Sequence, residues 1–215
     1  MVAQIYVVRH AESAHNVSKD FNHRDPPLTE LGFQQASQLA QAFPYGPRVG
    51  AILVSPLRRT IQTTLAAFSH ILDKRYFSLD SGQGTEDGAI LIVDPDLQER
   101  STFPCDTGSP RSLLEETFPY LSFDELEDTW YFKEAAYSSE NEAVEERAAK
   151  VRRYIAHLLA KLKDQEKNHL VVVTHGVFMK FLVGDDSIDL PKAGWKVYTL
   201  ETRKANYTLV PAEGL

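Results

Sequence analysis

The stretch Ile5-Tyr6-Val7-Val8-Arg9-His10 decides how the rest of the chain is read. Four apolar residues in unbroken succession, three of them β-branched, predict a strand covered on both faces, because a strand with one wet face alternates polar and apolar side chains. Similar runs recur at residues 51–55, 90–93 and 170–174. Such strands suit a mostly parallel sheet with helices on both sides. Residues 197–200 and 207–210 alternate better and predict a terminal antiparallel pair or edge.

Helical patterns lie between these runs. Thr29 is the expected N-cap of a helix carrying Leu31, Ala36, Leu39, Ala40 and Phe43 on one face, and Pro44 stops it. A second helix is expected from about Pro56 through Ile61, Leu65 and Phe68 towards Leu72. The longest is expected over 141–163, from the spacing of Val144, Ala148, Val151, Ile155, Leu158, Leu159 and Leu162. Its acidic start and basic end complement the helix dipole. Residues 78–88 and 102–111 read as loops. The aromatic, acidic stretch 113–137 reads as packing over a site rather than as a platform for stacking ligands. The expected fold is thus a three-layer α/β/α sandwich, with a mostly parallel central sheet and a helical, aromatic insertion over the site. One domain spanning 1–215 is expected, with a cap-like insertion at about 100–140.

Composition narrows the function. A chain of 215 residues with 43% hydrophobic and 25% charged residues has room for one buried core. Its formal net charge of −7 argues against nucleic acid or an anionic membrane as partner. Cys105 is the sole cysteine, so neither an intrachain disulfide nor a cysteine-based metal cluster is expected. The apolar start is too short for a signal peptide and is closed by Arg9. No stretch approaches membrane-spanning length, so a cytoplasmic or nucleocytoplasmic location is expected.

The chemistry gathers at strand ends, where open α/β sheets keep their ligand crevices. The first strand runs into Arg9-His10, the second into Ser55-Pro56-Leu57-Arg58-Arg59, and the fourth into Thr174-His175-Gly176. Arginine's planar fork grips phosphate or carboxylate oxygens in pairs, and histidine either donates to such oxygens or attacks phosphorus. Three strands ending in such groups, in an acidic chain, describe an oxyanion pocket. His23, His70, His157 and His169 lack this context, and His15 is ambiguous. No two-histidine-plus-carboxylate spacing appears, and arginine cannot ligate a cation, so no metal is expected.

Four ordered segments carry a resemblance: Arg9 to Asn16 (Arg-His-x-Glu-x-x-x-Asn), Pro27 to Ala36, Ser55 to Thr63 (Ser-x-Leu-x-Arg-x-x-x-Thr), and His175-Gly176. Together they resemble the histidine phosphatase superfamily, in the branch that includes cofactor-dependent phosphoglycerate mutases. The resemblance implies that His10 is the nucleophile that becomes phosphohistidine, with Arg9, Arg59 and His175 completing the phosphate-binding core. Asn16 corresponds to a position that contacts phosphate or substrate, with Ser13 a weaker candidate. Glu12 reads most simply as orienting neighbouring basic groups. Arg59, not Arg58, fits the core position, and Arg58 reads as a rim residue. Glu99, in Asp96-Leu97-Gln98-Glu99-Arg100, resembles the segment supplying the general acid, with Asp106 the other candidate.

The chain departs from the family pattern at Lys192-Ala193-Gly194-Trp195-Lys196-Val197, where relatives carry an Asn-Ala-Glu-like segment, so substrate contacts there are open. It is also shorter than typical glycolytic mutases, and no long tail to exclude water is expected after the final strands, so net hydrolysis is the expected outcome. The expected activity is that of a metal-independent, cofactor-free histidine acid-type phosphatase acting on a small-molecule phosphate ester, a phosphoprotein being the other substrate class. A mutase-type phosphotransferase and a catalytically silent binding module are the alternatives.

Overall fold

The computed structural model describes residues 2–163, 165–203 and 206–212. Among them six strands form one sheet in the order β3-β2-β4-β1-β5-β6. The strands are β1 (Ile5–Arg9), β2 (Val49–Val54), β3 (Ile90–Val93), β4 (His169–Thr174), β5 (Trp195–Arg203) and β6 (Asn206–Pro211). The pairs β1/β4, β2/β4 and β2/β3 are parallel. β5 runs antiparallel to β1, and β6 antiparallel to β5 at the edge.

The period-two geometry of the strands explains the layers. Tyr6, Val8, Ile52, Val54, Val171 and Val173 point to one face, where they pack with Ala36, Leu39, Ile61 and Phe68. These last come from α2 (Glu30–Ala42) and α3 (Arg58–Phe68). The alternate residues Ile5, Val7, Ala51, Leu53, Leu170 and Val172 point to the other face. There they meet Val144, Val151 and Ile155 of α5 (Asn141–Leu162) and Phe178 and Leu182 of α6 (Phe178–Val183). Each fully buried aliphatic side chain contributes about 1.5–3 kcal/mol, so both faces need a helical cover. The result is an α/β/α sandwich.

Two shorter α-helices are also present among the described residues, α1 (Ala14–Ser18) and α4 (Arg111–Thr117). A 3-10 turn at Pro104–Asp106 interrupts the stretch expected to be a loop. Phe118, Phe123, Leu126 and Trp130 are buried in the same cluster as α2 and α3, so the core absorbs much of the aromatic segment.

Two expectations are corrected. Leu31 is 48% exposed, because the buried stripe of α2 is Gly32, Ala36 and Leu39, and Leu31 is rotated about 100° from it. Pro56 lies outside the second helix, which begins at Arg58 and ends at Phe68 rather than near Leu72. The N–H of Arg58 is satisfied instead by Asp25 Oδ1 at 2.9 Å.

Candidate active site

The carboxyl ends of β1, β2 and β4 lie side by side, with Arg9 paired in register with Thr174 and Val54 with Val173. The side chains that follow these ends converge. Arg59, 1% exposed, sits at their centre in the first turn of α3. Its Nε donates to His10 Nε2 at 3.3 Å, and one terminal nitrogen donates to the Cys105 carbonyl at 2.7 Å. The other terminal nitrogen meets Asp106 Oδ1 at 2.7 Å and His175 Nδ1 at 3.1 Å.

The proton positions on both imidazoles follow from these partners. His10 Nδ1 faces the Ala11 carbonyl at 2.7 Å, which only accepts, so Nδ1 carries the hydrogen and Nε2 keeps its lone pair. His175 Nδ1 faces a guanidinium, which only donates, so its hydrogen is on Nε2 and goes to Ser55 Oγ at 2.8 Å. Burial, followed by the charge of Arg59, holds both histidines well below their usual pKa. Each is a neutral ring at physiological pH, and the ring centroids lie 5.2 Å apart.

Arg9 donates to Asp189 Oδ1 at 3.0 Å and to the Leu190 carbonyl at 2.5 Å. Its buried Nε has no hydrogen-bond partner among the described residues. A Cβ at Gly176 would stand 3.1 Å from an Arg9 nitrogen, so the missing side chain lets the guanidinium lie against the His175-Gly176 turn.

Glu99 is buried just after the 3-10 turn Pro95–Leu97. Its Oε1 accepts from the N–H of Arg100 at 2.8 Å and of Phe178 at 2.9 Å, and its Oε2 from Val177 at 3.0 Å. These contacts tie it to the chain leaving His175. Burial first, and the Asp106 charge second, raise its pKa, outweighing the N–H donors that favour the ionised form. Asp106 accepts from Arg59 on Oδ1 and from Ser101 Oγ on Oδ2, the latter at 2.6 Å. A small cleft of about 220 Å³ runs past Glu99, Arg100, Ser101, Asp106 and Val177.

His10, Arg59, His175, Arg9 and Glu99 are therefore brought together. Asn16 is one step removed: its Oδ1 accepts from Ser13 N–H at 3.1 Å and its amide donates to His15 Nε2 at 3.0 Å. The His15 ring lies 6.4 Å from that of His10. Glu12 accepts at 2.7 Å from the hydroxyl of Thr29, so it braces α2 rather than a basic group.

One juxtaposition and two lysines escaped sequence reading. His15, Cys105 and Asp106 place ligand-type atoms within 4.8 Å of one another, a proximity that sequence spacing does not reveal. Lys133 donates to the Glu99 carbonyl at 2.6 Å and to Gln98 Oε1 at 2.7 Å, and burial, then Arg147, bring its pKa to about 7. Lys192 faces Arg9 and Arg59, and burial followed by their charges brings its pKa down to about 8. The β1/β5 pairing delivers it there, and only the departure at residues 192–197 hinted at that segment.

The chain is similar in sequence and fold to known proteins. Residues 5–75 match the sequence model of the histidine phosphatase superfamily (branch 1). A Schizosaccharomyces pombe protein named as a probable phosphatase is 31% identical over 87% of this chain and 83% of its own. A phosphoglycerate mutase-like protein of Arabidopsis thaliana is 27% identical, over 86% of this chain and 76% of its own. Among solved structures, a mycobacterial glucosyl-3-phosphoglycerate phosphatase in complex with VO3 shares the fold, with a TM-score of 0.58 at 18% identity, covering 97% of each chain.

Proposed function

Because the chain belongs to the histidine phosphatase superfamily, in its phosphoglycerate mutase-like branch, we propose that it is a metal-independent phosphomonoesterase working through phospho-His10. Family membership supports enzymatic activity of the hydrolase or mutase type on a phosphate ester. The finer reading rests on one observation. A single buried guanidinium, Arg59, hydrogen-bonds both His10 Nε2 and His175 Nδ1. A group that gathers two neutral imidazoles around a fixed positive charge suits an incoming anion.

In the first step His10 Nε2 attacks phosphorus, the P–N bond forms and the ester P–O bond breaks. Arg9 and Arg59 stabilise the charge on the non-bridging oxygens, His175 joins them as the imidazolium that an arriving dianion favours, its Nε2–H staying with Ser55, and Glu99 gives its proton to the leaving oxygen. In the second step water attacks the phosphohistidine, Glu99 takes a proton from it, and inorganic phosphate leaves a free imidazole. Of the two carboxyls, Asp106 is paired with Arg59, whereas the raised pKa of Glu99 favours the protonated form a donor needs. We read residues 100–140 as a cap-like insertion within a single domain. In support, Cys105 and Asp106 from this segment hold Arg59.

Net hydrolysis is favoured over transfer between two ester positions, and a small-molecule phosphate ester over a phosphoprotein. Retention of a nucleophile, both arginines and a carboxyl argues against a silent binding module. Rapid-quench labelling with a phosphate ester, in chelator, tests the mechanism: an acid-labile phosphoenzyme is expected in wild type and absent in His10→Ala. Full-rate hydrolysis by His10→Ala, or loss of turnover on chelation, overturns it. A strict need for a bisphosphorylated primer would assign the mutase activity instead.

A further inference from the structure

Residues 191–194, at the start of the segment that departs from the family pattern, fold into a tight turn. Gly194 N–H donates to the Pro191 carbonyl at 2.9 Å, closing the turn over Lys192 and Ala193. Two more bonds fasten it to the end of β1: Arg9 N–H donates to the Gly194 carbonyl at 2.9 Å, and Ala193 N–H donates to the His10 carbonyl at 3.3 Å. Ala193 is held at φ 58°, a left-handed conformation costing about 1–2 kcal/mol for an L-residue. Strain of this kind persists where the surrounding structure over-determines it, and it concentrates at functional sites. The turn fixes position 192 beside the main chain of the nucleophile.

The side chain placed there is a half-buried lysine with no hydrogen bond or ion pair among the described residues. Arg9 and Arg59 face it with like charge, and the more weakly felt Glu99 and Glu12 face it with opposite charge. Its own charge reaches His10, His15 and His175 in turn. An ammonium withdrawn from water next to two guanidiniums is unfavourable in the empty protein. An arriving dianion offsets that cost, and so draws binding energy from all three cations.

We propose that Lys192 is a phosphoryl-binding residue, its ammonium donating to a non-bridging oxygen of the substrate and joining Arg9 and Arg59 as a third cationic ligand. This rests on the His10 reading above and sharpens it: three cations around one phosphoryl group select dianionic phosphomonoesters over singly charged diesters. Lysine acts here as a mobile point charge, complementing the fixed forks of the two arginines.

Calorimetric titration of inorganic phosphate into wild type, Lys192→Met and Lys192→Arg tests this, with urea unfolding run in parallel. Lys192→Met is expected to weaken phosphate binding by about 10- to 100-fold, the loss of one charge-assisted hydrogen bond, with its unfolding midpoint retained or raised. Lys192→Arg is expected to recover most of the affinity. If Lys192→Met does not fold, Lys192→Gln takes its place with the same expectation. A folded neutral variant that binds phosphate as tightly as wild type overturns the role of Lys192 and leaves the phosphatase reading standing. Wild type that binds no phosphate overturns both.

Discussion

Arg59 and His10 share a hydrogen bond, from Nε to Nε2 at 3.3 Å, that aims the guanidinium at the nitrogen whose lone pair is to attack phosphorus. The same guanidinium is fixed by the Cys105 carbonyl and Asp106. When a phosphoryl oxygen takes over the Nε–H and releases Nε2, the guanidinium itself stays in place, and preorganised donors of this kind are worth most in the transition state.

Arg59→Ala should accordingly lower kcat/KM by about 10²- to 10³-fold, the typical cost of removing one preorganised donor. Arg59→Lys should recover little, because an ammonium cannot span His10, Cys105, Asp106 and His175 at once. Arg58→Ala should cost less than tenfold. Steady-state kinetics on one ester settle it, and equal losses at 58 and 59 would refute the assignment.

Asp25 should matter for stability through α3. Fully buried, it accepts from Arg58 N–H at 2.9 Å and from Ser109 Oγ at 2.7 Å, capping a helix whose own N-cap, Leu57, has no side-chain acceptor. Asp25→Ala leaves both donors unsatisfied, for an expected loss of about 1–3 kcal/mol in urea unfolding. Burial raises the Asp25 pKa in the folded protein. Its contribution is thus fully present below the unfolded carboxyl's range and lost as pH rises through the folded value. Asp25→Asn should remove that part of the pH slope, and an unchanged slope would count against it.

The sheet was largely readable because β1, β2 and β4, buried on both faces, leave unbroken apolar runs, and the edge strand Ile90–Val93 matches its run residue for residue although it is only partly buried. The helix boundaries were less so. Pro56 suits a first turn by propensity, yet the tertiary cap from Asp25 starts α3 at Arg58. His10, Arg59 and His175 were legible because they directly follow strands or open a helix after one. Lys192 was not, because its place depends on β5 pairing antiparallel with β1, Val8 opposite Trp195, which local pattern does not encode. The contact of Asp106 with Arg59 likewise joins residues 47 apart in sequence.

Gly32 should resist substitution. A Cβ there would fall 2.0 Å from the Glu12 carbonyl oxygen, which also accepts Thr29 N–H at 3.1 Å. Alanine ordinarily stabilises a helix by about 1 kcal/mol over glycine. Here the obstacle is backbone and cannot swing aside, so Gly32→Ala should instead destabilise by about 1–3 kcal/mol, as overpacking does. Because Glu12 lies two residues from His10, activity should fall as well. A thermal midpoint equal to or above that of wild type would contradict the close approach.

The pH profile should separate nucleophile from acid. His10 must be neutral to attack, and burial with the Arg59 charge holds its pKa well below 6.5, so the acid limb of kcat/KM should lie well below that of an exposed histidine. Glu99 must be protonated to serve the leaving group, and its raised pKa extends the working range upward from the ordinary carboxyl value. Activity on a poor-leaving-group ester should then decline as pH climbs through the Glu99 value. Glu99→Gln cannot exchange a proton, so it should lower kcat by about 10²- to 10⁴-fold on that ester and abolish the declining limb. Aryl phosphates leave without help, so their single-turnover burst in Glu99→Gln should fall much less. If Glu99→Gln phosphorylates His10 from a poor-leaving-group ester as fast as wild type, with the limb intact, the proton comes from elsewhere, and Asp106→Asn is the variant that should then lose it.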